Sequence, residues 1–290
     1  MKGSISVENQ TLQRLSENIV YLPDDPSTDR PILAVISGLK RTLMIDAGAS
    51  PAHVALFQRE CERHTIPQGD FTVITHWHWD HSFGMSALKM PTIAHVETRN
   101  HLQKMLAYAW TDEAIDRRVE EGIEIPFCAE MIKKEYANRD EIVITLPDIV
   151  FDKRLRIDLG GLHCVVEHVG GDHSNDNIII FVEEEKTLFL GDCLGPAIYS
   201  EKRFYQPEQL DALLEKIERY QAETFVESHA EPVSREDFSR YTQSLRVIAS
   251  CMDDFSGDQG SLIVEIAKKF GRPLTQEELD TIEYLQDLYQ

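Results

Sequence analysis

The chain has 290 residues, of which 42% are apolar and 27% charged, a composition typical of a globular protein with a large core. Its formal net charge of −21 would repel polyanions, and basic residues form no run longer than Lys133-Lys134 or Lys268-Lys269, which argues against nucleic acid as a substrate. No apolar run approaches the length of a membrane span, and the N-terminus lacks the core of a signal peptide.

The five cysteines are scattered along the chain and form no Cys-x-x-Cys pair. Their odd number and the lack of a secretory signal argue against a disulfide framework. We therefore expect reduced thiols, most of them buried as small apolar side chains, in a cytoplasmic protein.

Short β-branched runs separated by turn signals dominate the beginning of the chain, a pattern typical of strands. Strands are predicted at 19–22, 31–36 and 42–45, with a hairpin turn at 37–41 joining the last two. A helix is predicted at 51–63, where apolar side chains recur at helical spacing.

The most informative stretch runs from Thr75 to His81 and reads Thr-His-Trp-His-Trp-Asp-His. It follows an apolar run at 71–75 that predicts a buried strand, and a helix is predicted to begin at Ser82. Two imidazoles two residues apart on extended backbone can point the same way, and the next Asp and His can face a second point nearby. Imidazole with carboxylate suits zinc, iron or manganese. Because the chain has only 11 histidines, a polar loop with histidines by chance is the poorer explanation.

The rest of the chain combines further strands with helical segments. Strands are predicted at 91–96, 142–145, 154–158, 162–167, 178–182, 187–190 and 224–227. Residues 109–141 are charged and helical in tendency, broken by Gly122 and Pro126, and are interpreted as an insertion that is either a lid or an ordinary pair of surface helices. Helices are also predicted at 207–220 and from 235 to the end, with a break at 257–260 and a capping box at Thr275 and Glu278. Two blocks of strands with helices between and after them indicate two packed sheets flanked by helices.

The His-x-His-x-Asp-His order resembles the signature of the metallo-β-lactamase superfamily. The resemblance implies a later His in a Gly-rich turn, an Asp after a strand and a last His after another strand. The chain supplies them in Val169-Gly-Gly-Asp-His173, Leu188-Phe-Leu-Gly-Asp192 and Val226-Glu-Ser-His229. Carried over, the first metal would be held by His76, His78 and His173, the second by Asp80, His81 and His229, with Asp192 bridging. His168 is the alternative to His173.

The same resemblance implies an α+β fold, a four-layer αβ/βα sandwich of two mixed β-sheets flanked by helices. The metallo-β-lactamase-like domain would span 1–235, with the helical insertion at about 109–141, and a helical extension at 236–290 would pack on it. That extension could belong to a substrate pocket or a homodimer contact, and the sequence does not choose. Asp46, at the end of an early strand, would support a ligand imidazole, and Thr75 could act similarly.

The implied activity is that of a metal-dependent hydrolase with a dinuclear site and a metal-bound hydroxide. Asp80 would be the catalytic residue, the ions would be two divalent metals with zinc first and iron or manganese as alternatives, and the substrate a small ester, lactone, thioester or amide. A mononuclear iron persulfide-type dioxygenase, a phosphodiesterase on the same fold and a metal-binding module without turnover are the alternatives. Tyr199 and Tyr205 could hydrogen-bond a substrate, although packing is the favoured interpretation. The residues interpreted as structural or surface histidines are His53, His64, His95, His101 and His163.

Overall fold

The computed structural model describes residues 10–200, 202–253 and 259–287. The strands are β1 (Gln13–Arg14), β2 (Ile19–Leu22), β3 (Leu33–Ser37), β4 (Thr42–Ile45), β5 (Phe71–Val73), β6 (Thr92–His95), β7 (Ile149–Phe151), β8 (Arg154–Asp158), β9 (His163–His168), β10 (Ile178–Val182), β11 (Thr187–Gly191), β12 (Thr224–Glu227) and β13 (Val233–Ser234). The α-helices are α1 (Pro51–Arg63), α2 (Trp79–Ser82), α3 (Val96–Met105), α4 (Asp112–Glu120), α5 (Pro126–Glu135), α6 (Pro207–Glu218), α7 (Arg235–Asp253), α8 (Gln259–Phe270) and α9 (Gln276–Asp287).

The first sheet has the strand order β1-β2-β3-β4-β5-β6-β7. Its first four strands pair antiparallel, whereas β4 to β7 pair parallel. Parallel neighbours need a crossover, and α1 supplies it between β4 and β5. Helix α1 begins where the Ser50 side chain accepts a hydrogen bond from the His53 N–H and Pro51 occupies the first turn.

The second sheet has the order β13-β12-β11-β10-β9-β8. All its pairs are antiparallel except β11 with β12, which are joined by the crossover helix α6. Both sheets are therefore mixed. The parallel pairs bring the carboxyl ends of β4, β5, β11 and β12 to one region of the molecule.

The main core lies between the two sheets. Side chains of the first sheet such as Ile36 and Ile45 pack there against Val166, Ile180 and Phe189 of the second. On the outer face of the first sheet lies α1. On the outer face of the second lie α6, α7, α8 and α9. The result is the predicted four-layer αβ/βα sandwich, and the predicted fold class is confirmed.

The predicted strand at 142–145 is wrong. Ile142 is buried and Ile144 is half-buried against a side cluster, but the segment pairs with no strand among the described residues, and β7 begins only at Ile149. The apolar residues of this segment are there because they are buried, not because the segment is hydrogen-bonded to a neighbouring strand. The charged segment before it does form helices α4 and α5, ending in a short 3₁₀ turn at Arg139–Glu141.

The C-terminal helices begin and end close to the predicted positions. Thr275 and Glu278 form the reciprocal capping box at the start of α9: the Glu278 N–H donates to Thr275 Oγ1 at 3.2 Å, and the Thr275 N–H donates to Glu278 Oε2 at 2.8 Å. The predicted break at 257–260 lies partly outside the described residues.

All five cysteines are buried and form no disulfide. Within the described residues, no helix has the length and apolarity needed to cross a membrane.

Candidate metal centre

The His-x-His-x-Asp-His motif lies where the chain leaves β5. That strand ends at Val73, two residues earlier than predicted, and His76 and His78 occupy the loop that follows. Asp80 and His81 lie on the short helix α2, which continues as a 3₁₀ helix at Phe83–Ala87 in place of the helix predicted from Ser82. All four side chains of the motif are buried, none belonging to a residue more than 5% exposed.

Two glycines let the segments around the motif approach closely. A Cβ on Gly84 would lie 2.0 Å from the backbone oxygen of Ala47, so only glycine fits where the 3₁₀ helix meets the end of β4. Gly191 has φ +57, and a Cβ there would lie 3.0 Å from Thr75. The end of β11 therefore lies directly beside the end of β5, and the two sheets meet at the motif.

The three later candidates of the sequence analysis come to the same place from the second sheet. His173 follows β9, Asp192 follows β11, and His229 follows β12. The structure thus brings together all seven side chains singled out from the sequence, from two sheets and four loops. His168, the alternative to His173, lies apart, since its ring stacks on His95 at 3.8 Å.

The seven side chains form two groups, each with ligand atoms close enough to surround one ion. The first group is His76, His78 and His173, with His173 Nε2 2.9 Å from His78 Nδ1. The second is Asp80, His81, Asp192 and His229. In the second group Asp80 Oδ2 is 3.0 Å from His81 Nε2 and 3.1 Å from His229 Nε2.

Asp192 connects the two groups. Its Oδ2 atom is 3.6 Å from His173 Nε2 and 4.0 Å from His76 Nε2 in the first group. The same atom is 3.3 Å from His81 Nε2 and 3.5 Å from His229 Nε2 in the second. One carboxylate oxygen therefore lies between four imidazole nitrogens.

The donor set fits divalent metal ions on the chemistry of its atoms. His76 Nε2, in the first group, is a buried polar atom without a hydrogen-bond partner in the described part of the chain. Buried polar atoms normally have partners, and a cation bound by this group would supply one.

The protonation states of the three histidines in the first group are also those needed to bind a metal ion. Burial lowers the pKa of His76, His78 and His173, so these imidazoles are neutral at neutral pH. Neutral imidazole is the form that binds metal.

The second group holds its charges by mutual attraction. Burial opposes the charged forms, but the Asp80 and Asp192 carboxylates raise the pKa of His81 and His229 well above the ordinary value. Conversely, His81 and His229 lower the pKa of both carboxyl groups against the effect of burial. Asp80 and Asp192 are thus ionised, the form that binds metal, and the protons on the two imidazoles occupy positions that a cation would take.

Asp46 has the place that the sequence analysis expected for it. Its Oδ2 accepts a hydrogen bond at 2.8 Å from His81 Nδ1, and since a carboxylate only accepts, this fixes the His81 proton on Nδ1 and directs Nε2 toward the cluster. Thr75 donates to the same carboxylate through its N–H at 2.7 Å and its hydroxyl at 2.9 Å. Asp46 is buried and adopts a φ of +59.

A profile of the metallo-β-lactamase superfamily matches residues 32–229, more than half of the chain and a range that includes all seven clustered side chains. The chain belongs to the metallo-β-lactamase superfamily. A comparison with curated proteins found no match.

Several solved structures share the fold at low identity. A metallo-β-lactamase from Pontibacter korlensis is 17% identical with a TM-score of 0.56, covering 81% of this chain and 97% of its own. The DIM-1 metallo-β-lactamase is 16% identical with a TM-score of 0.57, covering 82% and 96%. The stereoselective inverting sec-alkylsulfatase Pisa1 from Pseudomonas sp. is 15% identical with a TM-score of 0.62, covering 95% of this chain but 47% of its own, so this chain spans about half of that protein. These likenesses show the fold.

The metallo-β-lactamase-like cluster opens into a cavity of about 350 Å³. His78, Asp80 and Asp192 of the cluster lie at its wall. The insertion contributes Ile125, Phe127 and Cys128 to the wall, and the segment after Asp192 contributes apolar side chains such as Ile198. A volume of this size and a largely apolar wall suit a small organic molecule.

The insertion is packed into the molecule. Ile115 of α4 and Ile132 of α5 are fully buried in one cluster with Trp79 and Phe83, the side chains that flank Asp80 and His81. Helix α5 therefore lines the cavity through Phe127 and Cys128, and α4 packs beside it in the same cluster. Whether the insertion acts as a lid stays a prediction.

Two acidic residues around the cluster, among others, were not singled out from the sequence. Asp29 lines the cavity from a loop before β3, and burial together with the Asp80 carboxylate raises its pKa to about 7. Glu124, from the insertion, is buried and accepts a hydrogen bond from the Tyr199 hydroxyl at 3.0 Å. Neither lies in a motif, and only the folded chain brings them here.

The two tyrosines are both engaged in packing. The Tyr199 ring lies 5.1 Å from that of His78, but its hydroxyl donates to Glu124. The Tyr205 hydroxyl donates to the backbone oxygen of Leu194 at 2.9 Å. Of the five histidines interpreted as structural or surface residues, His101 is the one that touches the motif, stacking on Trp77 at 4.9 Å.

Proposed function

We propose that the protein is a metal-dependent hydrolase with a dinuclear centre, zinc being the first choice of ion and iron or manganese the alternatives. In this proposal His76, His78 and His173 hold one ion, Asp80, His81 and His229 hold the other, and Asp192 bridges them. The substrate is a small molecule with an ester, lactone, thioester or amide bond.

The position of Asp192 carries this proposal. Its Oδ2 lies within 4.0 Å of imidazole nitrogens from both groups, which a single-ion site would not require. The second group is also complete, and Asp46 holds His81 in the tautomer that leaves Nε2 free to bind. Both features favour two ions over the mononuclear iron alternative.

Two divalent ions held there would lower the pKa of a shared water, so that hydroxide is available near neutral pH, and would polarise the bond to be cleaved. Asp80 is placed to orient that water and accept its proton, because its carboxylate is ionised and lies at the cavity wall.

The cavity supports a small substrate. Its volume of about 350 Å³ and the apolar side chains Ile125, Phe127 and Ile198 favour an acyl or alkyl group over a polymer. The net charge of −21 argues against nucleic acid, so a phosphodiester substrate would also be small. The likeness to proteins named as β-lactamases and a sec-alkylsulfatase adds β-lactams and alkyl sulfates to the candidates.

Elemental analysis of the purified, unsupplemented protein tests the metal part first. About two zinc, manganese or iron ions per chain are expected, and one iron per chain would favour the persulfide-type dioxygenase. Asp192→Ala should then retain less metal than His64→Ala, a control that changes an exposed histidine at the C-terminal end of α1.

A substrate panel tests the reaction. Esters, lactones, thioesters, β-lactams, alkyl sulfates and small phosphodiesters should include at least one compound whose hydrolysis depends on added metal and is lost in Asp80→Asn. Two ions per chain with no hydrolysis of any member would contradict the proposed substrate class. No metal, even after reconstitution, would contradict the proposed function altogether.

A further inference from the structure

Asp29 lies in a loop that the structure holds in an uncommon conformation. The loop is closed by an antiparallel bridge between Asp25 and Arg30, in which the two residues exchange backbone hydrogen bonds of 2.9 and 3.0 Å. Asp29 has a φ of +57, a value that residues other than glycine, asparagine and aspartate rarely adopt. Such strain persists where the surrounding structure fixes it, often at a functional site.

The structure around this loop holds it in place through Arg30, the residue after Asp29. Arg30 donates from Nε and a terminal nitrogen to the carboxylate of Glu135 at 2.8–3.1 Å, and the two side chains are 7% and 1% exposed. Ile32 N donates to the backbone oxygen of Ser228 at 2.7 Å, so the same segment is tied to the turn that carries His229.

The loop places the Asp29 carboxylate behind His229. Asp29 Oδ1 lies 3.8 Å from His229 Nδ1, while His229 Nε2 faces Asp80 and Asp192 at 3.1 and 3.5 Å. The two nitrogens of His229 therefore face carboxylates on opposite sides. Asp46 stands in the same relation to His81, at hydrogen-bond distance.

We propose that Asp29 is a positioning residue for His229: its carboxylate, at an ion-pair distance of 3.8 Å, favours a proton on Nδ1 and so presents Nε2 to the second metal ion. This inference rests on the proposed metal centre and adds a residue to it. A carboxylate on the far nitrogen fixes the tautomer and raises the basicity of a ligand imidazole. His229 needs such support more than His81 does, because its side chain is 32% exposed whereas that of His81 is fully buried.

The test measures metal affinity rather than activity. The metal-free chain is titrated with Zn²⁺ in competition with a chromophoric chelator, and with Co²⁺ by its visible absorption, in the wild type and in Asp29→Gly and Asp29→Asn. Both substitutions tolerate the left-handed backbone at this position, so the fold is expected to be retained and is checked by thermal unfolding. Asp25→Asn is the matched control, since the Asp25 carboxylate accepts from Ser27 N in the same loop.

Asp29→Gly should lower the affinity for the second ion, the one that His229 would bind, 10–100-fold, the range typical when a ligand loses a supporting hydrogen-bond partner. It should also change the Co²⁺ spectrum in the same direction as His229→Ala does. Asp29→Asn keeps an acceptor oxygen and should fall between Asp29→Gly and the wild type, while Asp25→Asn should match the wild type. Wild-type affinity in both Asp29 variants would overturn the inference, as would an equal loss at both ions together with a lower melting temperature. A wild-type chain that binds fewer than two ions would instead contradict the proposed centre, before any variant is compared.

Discussion

Removing the charge of Glu135 should destabilise the protein strongly, because its partner Arg30 would remain buried without a counter-ion. The Glu135 carboxylate receives three contacts of 2.8–3.1 Å from the guanidinium and also accepts the Ser50 hydroxyl. Breaking a buried pair by neutralising one partner typically costs about 3–5 kcal/mol. We expect Glu135→Gln to lower the free energy of unfolding by about that amount, since the new amide would direct N–H groups at Arg30.

The same helix offers a matched control. Glu130 pairs with Lys134 at 2.6 Å, but the two side chains are 62% and 47% exposed. Exposed pairs of this spacing contribute about 0.3–0.5 kcal/mol, so Glu130→Gln should have a small effect. Urea unfolding of the metal-free variants gives both values without a contribution from metal binding. If Glu135→Gln lowers the free energy of unfolding no more than Glu130→Gln does, the buried pair does not stabilise the attachment of the insertion.

Three further predictions concern the site. Asp46→Asn should weaken metal binding 10–100-fold in a chelator competition, because an amide has one acceptor oxygen and its NH2 would face either the Thr75 N–H or His81 Nδ1; unchanged affinity would contradict that role. Tyr199→Phe should cost about 1–2 kcal/mol in urea unfolding, because Glu124 loses a donor, yet leave kcat within about twofold, since Ile198 rather than Tyr199 lines the cavity. Chelation should lower the melting temperature and zinc should restore it, each ion contributing about 2.7 kcal/mol at a free concentration one hundred times its Kd; a melting temperature insensitive to chelation would argue against bound metal.

The candidate cluster could be found from the sequence because its residues occur in ordered motifs at strand ends. His76 to His81 lie within six residues, and His173, Asp192 and His229 each follow an apolar run. A local apolar pattern predicts that such strands exist, even where their ends are displaced by a residue or two, and the parallel pairs bring the strand ends together.

Asp29 and Glu124 could not be found in this way. Asp29 is one of several acidic residues in a polar loop, and nothing local indicates that Arg30 will be held by Glu135, more than one hundred residues later. The error at 142–145 has the same origin. Ile142 and Ile144 are apolar because they pack on a side cluster, and the sequence shows that burial without showing the missing partner strand.

The candidate centre lies on the seam between the two sheets, and this affects more than catalysis. The motif that follows β5 belongs to the first sheet, whereas His173, Asp192 and His229 belong to the second. Asp192 reaches both groups, so ions bound there would join the sheets directly, and their binding energy would oppose separation of the sheets. The Arg30–Glu135 pair joins the N-terminal loop to the insertion on the same side of the molecule. A substitution at Glu135 that loosens this loop would also release Asp29 from His229, so loss of stability and loss of the second ion should be coupled there, whereas at the exposed Glu130 they should not.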